Sequence, residues 1–318
     1  MKKKLFGLII ITMLVFVFSS LFGAMNFSIK DIFTNEETKN LWLNMRMPRC
    51  ILGFIVGSVL SLGGMSFQAI FKNPLAEPWT LGVSSGATLG CVLCITLGLT
   101  GLFFGWGMIF FAFIFGLLSI FLVYFLTKIK KNFATSDMLL AGIGVNFFFS
   151  ALILFCQYLG NEYNLTRIIH WTMGGVDIIG YDKILIILPF YVVGIFFVVR
   201  NTRELNLLSC GEDIAVSRGV NVSKVKKIIF FSVSLMVGAV CAVCGPIGFV
   251  GMICPHIMRL VFGYDNRKLA LVCPLFGGGF LVLCDALARS VLAPLELPVG
   301  IITALLGGPF FVYLLLRK

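Results

Sequence analysis

Long apolar runs dominate this chain, and its polar residues gather in short stretches between them. A helix that crosses a bilayer needs about 20 apolar residues. By that measure ten segments qualify or come close: 5–24, 50–71, 80–98, 102–126, 137–159, 183–199, 228–244, 246–263, 269–288 and 297–316. The pattern predicts an all-α, polytopic membrane protein with about ten transmembrane helices. A single transmembrane domain, 1–318, divides into a first half (45–200), a polar central loop (200–227) and a second half (228–318). Two other polar stretches, 25–49 and 160–182, are long enough for short amphipathic elements.

The central loop is the longest polar run. It carries Arg200, Arg203, Arg218, Lys224, Lys226 and Lys227 against Glu204, Glu212 and Asp213. Ser209, followed three residues later by Glu212, reads as a capping box in which each end satisfies the other's orphan backbone donor. Ile214, Ala215 and Val216 give the short helix an apolar patch, and Gly219 can take the left-handed geometry that ends it. Such a helix suits a docking surface; the plainer alternative is a solvated loop.

Composition narrows the class. Hydrophobic residues make up 59% and charged residues 12%, and the mean hydropathy is +1.03. A soluble domain of this size cannot hide that much apolar surface. The net charge of +11 tempts a nucleic-acid reading, but the basic residues lie in short loops, as the positive-inside rule describes. One side collects seventeen Lys and Arg, from Lys2–Lys4, Lys72, Lys128, Lys130, Lys131, the central loop, Arg267, Lys268, Arg317 and Lys318. The other holds seven: Lys30, Lys39, Arg46, Arg49, Arg167, Lys183 and Arg289. This bias makes both termini and the central loop cytoplasmic. The first apolar run is long for a signal peptide and lacks a clear cleavage site, so it reads as a retained helix. Nearly all ten cysteines fall inside apolar runs and act as small hydrophobes. The pairs Cys91/Cys94 and Cys241/Cys244 have no nearby His or second pair to close a metal site.

An internal repeat is faint. At an offset of 181 residues, Val56-Gly57, Val59, Gly64, Pro74 and Gly82 match Val237-Gly238, Val240, Gly245, Pro255 and Gly263. The helices concerned cross in opposite directions under the predicted topology, as in the inverted repeats of transporters. Three stretches are dense in Gly, Pro and polar residues: Arg46–Gly90, Gly245–Gly263 and Cys284–Phe311. Small residues there serve helix packing. His256 and Arg259 fall near the inner end of a helix, where snorkelling or carbonyl capping competes with function. Asp285 and Arg289, four apart on one face, are expected to pair.

These segments carry a resemblance. RMPR, KNPLAEPWTLGVSSGA, LLAGIG, the GED of the central loop, GPIGFVGMICPHIMRL, DNRK, ALAR and ELPVGIITALLGGPFFVYLLLRK run in order from about Arg46 to the C-terminus. Together they resemble the permease subunit of iron–siderophore, haem and cobalamin ABC importers. The resemblance implies ten helices per subunit and a homodimer or close heterodimer with the path between subunits. It further implies two copies of an ABC ATPase and an extracytoplasmic substrate-binding protein, in the cytoplasmic membrane. It would place Cys210, Gly211, Glu212, Asp213, Arg218 and Gly219 in the ATPase contact. The cytoplasmic gate maps onto Asn73 and Leu75 and onto Thr135 and Ser136. Binding-protein docking maps onto Arg46, Arg49 and Arg289. Asp137 departs from relatives that carry a basic or neutral residue after the gate serine.

Absences complete the reading. No G-x-x-x-x-G-K-[ST] is present, so the energy of ATP must enter through another polypeptide. No cofactor or metal is expected, the remaining partner is membrane lipid, and nucleic acid is excluded. An ion-driven secondary transporter and an intramembrane enzyme are the rival classes, and neither finds a proton relay or catalytic cluster in the apolar runs. The cargo that the resemblance implies is an iron chelate, a siderophore or haem, with cobalamin as the alternative.

Overall fold

The computed structural model describes residues 2–23, 30, 34–129 and 135–316. Among them every regular element is helical. The principal helices are α1 (Lys2–Leu21), α2 (Met47–Phe71), α3 (Val83–Thr96), α4 (Gly107–Ile129), α5 (Thr135–Leu159), α6 (Glu162–Thr172) and α7 (Asp182–Arg200). They are followed by α8 (Thr202–Cys210), α9 (Glu212–Ser217), α10 (Val222–Cys244), α11 (Val250–Phe262), α12 (Asn266–Ser290) and α13 (Val299–Leu316).

Each of the ten expected apolar segments contains a helix. Seven are long and apolar enough to cross a bilayer alone; Val83–Thr96, Val250–Phe262 and Val299–Leu314 are shorter over their described residues. Both long polar stretches, 25–49 and 160–182, carry helices as expected. Glu36–Leu41, capped by the Asn35 side chain, leads through a π turn at Trp42–Arg46 into α2, and α6 occupies the other loop.

Helix α2 is the axis of the bundle. It packs on α12, α11 and α10 and is almost wholly buried, whereas α1, α4, α5 and α7 keep most of their apolar surface outward. Outward apolar surface is what lipid demands, and backbone satisfied within each helix is the only form it tolerates. Small residues set the interior spacing. A Cβ on Gly86 or Gly90 would collide with the Phe115 or Phe111 carbonyl of α4, so α3 and α4 meet backbone to backbone.

Helices α2 and α10 run antiparallel, with Phe67 stacked on Phe230 and Gly63 against Val233 and Val237. Each is followed by a break and a shorter apolar helix, α3 and α11. The residues matched at the 181-residue offset nevertheless sit in different structure. Gly64 lies inside α2 whereas Gly245 ends α10, and Pro74 lies in a turn whereas Pro255 lies inside α11. The order of elements repeats better than the glycines do.

Candidate functional site

At the basic end, α8 and α9 form a helical corner. The expected short helix exists as Glu212–Ser217 and ends as expected. Gly219 takes φ +80°, its N–H donates to Val216 O, and the Val220 N–H donates to Ala215 O, a Schellman closure. The expected capping box does not form. Ser209 belongs to α8, where its hydroxyl donates to Leu205 O; the residue before α9 is Gly211 at φ 153°, which caps with no side chain. Glu212 is thereby left to other partners.

Those partners join three elements. Lys226 Nζ, on the first turns of α10, donates to Glu212 Oε1 at 2.7 Å and to Thr135 Oγ1, the first residue of α5, at 3.0 Å. Thr135 Oγ1 donates in turn to the same Glu212 oxygen at 3.2 Å. Lys226 is 1% exposed, and among the described residues it is the one buried lysine. Burial raises the Glu212 carboxyl, but the Lys226 ammonium, the Thr135 hydroxyl and the charge of Lys72 outweigh it and hold the group below the usual carboxylate range.

The outer surface of α9 is open. Ala215 is buried, while Asp213, Ile214, Val216 and Arg218 are exposed, as is Cys210 at the end of α8. Helix α8 is tied to α12 on its other side. Asp265, the N-cap of α12, accepts from Asn206 Nδ2 at 2.8 Å, and the Asn266 N–H donates to Asn206 Oδ1 at 2.7 Å. The two candidate gate segments differ in form. Asn73 closes an Asx turn, its Oδ1 accepting from the Leu75 N–H at 2.9 Å after Lys72 in the left-handed region. Thr135 is half-buried in the Lys226 cluster, and Ser136 is exposed.

The opposite end gathers Arg46, Arg49 and Arg289 around one cavity of about 700 Å³, together with Asp177, Lys183 and Glu296. The expected Asp285–Arg289 pair is present at 3.0 Å, and both residues are buried. Sequence reasoning missed the rest of the cluster. Arg49 holds Asp285 with Nε and Nη2, at 3.0 and 2.9 Å. It also reaches Glu296 at 2.6 Å and Asp177 at 2.9 Å. Arg289, onto which the resemblance maps binding-protein docking, is not an exposed side chain. It is 1% exposed, because its Nη atoms donate to Phe22 O and Ser19 O at the carboxyl end of α1, where helix carbonyls favour a cation. Arg46 donates to Phe22 O from the cavity side and is half-buried.

Between the two ends, the breaks after α2 and α10 meet. Gln68 Nε2 donates to Gly251 O at 3.1 Å, and Arg259 Nη1 donates to Gln68 Oε1, so Arg259 serves a side chain within the bundle. His256 lies edge-on to Phe310. Phe249 adopts φ +68°, which aims its N–H at Glu77 Oε2, 3.2 Å away. A bulky residue in this region is strained and needs such support.

Residues 11–317 match the model of the FecCD transport family. The chain is 41% identical to the uncharacterized ABC transporter permease protein YvrB of Bacillus subtilis over 281 residues, 88% of this chain and 79% of that one. It is 35% identical to the hemin transport system permease protein HmuU of Yersinia pestis over 326 residues, 99% of this chain and 96% of that one. A solved structure of an ABC transporter described as metal-chelate type, in an inward-facing conformation, superposes with a TM-score of 0.90. It is 31% identical and covers 100% of both chains.

Proposed function

Since the chain belongs to the FecCD transport family of ABC importer permeases, we propose that it carries an iron chelate, a siderophore complex or haem, across the cytoplasmic membrane. The observation that carries this reading is similarity over 99–100% of the chain to a hemin transport permease and to a metal-chelate type transporter. Cobalamin is the alternative cargo within the family. An ion-driven mechanism falls away with the family assignment.

On this reading the basic end faces the cytoplasm, supported by the seventeen-to-seven distribution of Lys and Arg. The exposed Ile214 and Val216 of α9 enter a groove of a separate ABC ATPase, flanked by Cys210, Gly211, Glu212, Asp213, Arg218 and Gly219. A second permease copy completes the transporter, and the path runs between the copies. Asn73, Leu75, Thr135 and Ser136 form the inner gate, where two-fold symmetry brings copies together. The cavity at the other end receives acidic side chains of a substrate-binding protein. Arg46 makes that contact from the open side, while Arg49 and the buried Arg289, paired with Asp177, Asp285 and Glu296, form the floor beneath it.

Binding is tested by co-expressing the permease with the ATPase from its own genome and replacing Ile214 and Val216 with aspartate. The docking reading expects the ATPase to be lost from the purified membrane complex while the permease remains folded. Retention of the ATPase at native stoichiometry, with native uptake, would contradict it.

A further inference from the structure

We propose that Lys226 is a positioning residue that locks the ATPase-contacting helix α9 to the start of α5, so that a movement of α9 is delivered to the gate. The inference rests on the docking and gating readings above. Its own ground is the geometry of one buried ammonium. Lys226 Nζ lies 2.7 Å from Glu212 on α9 and 3.0 Å from Thr135 on α5, and the last two are 3.2 Å apart. Three elements therefore meet on one polar knot.

The surroundings make the knot a transmitter instead of a surface ion pair. Lys226 lies on the same face of α10 as Val225, Ile229, Phe230 and Val233, all buried, so its side chain leaves the core and ends on Glu212. Exposed pairs let go easily, but a buried ammonium that loses its carboxylate is left uncompensated. The Glu212 side chain is 42% exposed, but moving it with α9 strips the buried Lys226 of its carboxylate unless Lys226 or Thr135 follows. Helix α8 gives the corner its pivot, since Asn206 and Ser209 hold it to Asp265 and Asn266 at the start of α12. With one side of the corner fixed and the other tied to Thr135, a push on Ile214 and Val216 has one direction of relief. That direction displaces the residue adjoining Ser136.

The test uses the assembled permease–ATPase complex in proteoliposomes. Ser136→Cys, in a Cys210→Ser background, reports the gate through thiol crosslinking between permease copies with and without a non-hydrolysable ATP analogue. The reference protein should change its crosslinking yield on adding nucleotide. Lys226→Met should keep the ATPase bound and hydrolysing, yet lose the nucleotide response and about tenfold of uptake, within the usual range for coupling between sites. Lys226→Arg, which keeps charge and reach, should retain the response. Thr135→Val, nearly the same shape, should weaken it and decides the matter if Lys226→Met fails to assemble. A full nucleotide response in both Lys226→Met and Thr135→Val would overturn the proposal. A reference protein with bound ATPase but no nucleotide response would instead overturn the gating reading, and the lock with it.

Discussion

Replacing Asp285 with asparagine removes one charge from a buried ionic cluster and leaves its shape. Asp285 is buried and shared: Arg49 donates to its Oδ1 from Nη2 and Nε at 2.9 and 3.0 Å, and Arg289 holds Oδ2 at 3.0 Å. Arg49 keeps Glu296 and Asp177 after the change, both partly exposed, so Arg289 is the residue stranded. Removing one partner of a buried pair costs about 3–5 kcal/mol, and the α1 carbonyls that remain on Arg289 put the expected loss near the lower end. At roughly 2 °C per kcal/mol for a chain of this size, the melting point should fall by about 6 °C. A thiol-reactive fluorogenic dye reads this directly in detergent, since nine of the ten cysteines are buried and react on unfolding. Variants are compared at one heating rate, because such unfolding is governed by kinetics. Asp285→Leu combined with Arg289→Leu should recover part of the loss, as apolar replacement of both partners often does. A melting point for Asp285→Asn within about 1 °C of native would refute the view that this charge neutralises a buried arginine.

Other outcomes follow from the same geometry. Gly64→Ala places a Cβ against the Gly251 carbonyl and should force α2 and α11 apart, seen as loss of folded protein on size exclusion; a native profile would contradict that contact. Arg46→Ala should weaken docking of the binding protein mildly, by about 0.2–1 kcal/mol, with Arg46→Glu and added salt doing more; affinity indifferent to both would remove Arg46 from the interface. Asp265→Ala removes the N-cap of α12 and should lower stability by about 1 kcal/mol in the same dye assay. Arg267 and Asn206 hold the Asp265 carboxyl down at about 2, below its unfolded value, so its contribution is complete above the usual carboxylate range and fades as pH falls toward 2. Native Cys210 should react with impermeant thiol reagents only from the cytoplasmic side of oriented vesicles, and labelling from outside would invert the topology.

The ten apolar helices were legible because lipid enforces hydrophobic length on each segment separately. Their ends were less so. Helix α10 begins at Val222, six residues before the apolar run, because the Asn221 side chain caps it and its first turn tolerates lysine. In the central loop the end of α9 was legible, since Gly219 is a local signal. Its beginning was not, because Ser209 found a carbonyl inside its own helix and Glu212 found Lys226. A signal for Lys226 did exist: it falls at helical spacing among Val225, Ile229 and Val233, where a lysine has to be paired. The Asp285–Arg289 pair could be read from four-residue spacing. The burial of Arg289 could not, since it depends on Ser19, 270 residues away in the chain.

The most direct measurement of the transport claim is uptake into proteoliposomes that hold the permease with its ATPase and binding protein. Labelled ferric siderophore, haem and cobalamin are offered in turn, with ATP inside the vesicles and with ion gradients alone. The account predicts ATP-dependent accumulation of an iron chelate and none from the gradients. ATP-driven accumulation of cobalamin without iron chelate would contradict the cargo, and gradient-driven uptake without ATP would contradict the mechanism.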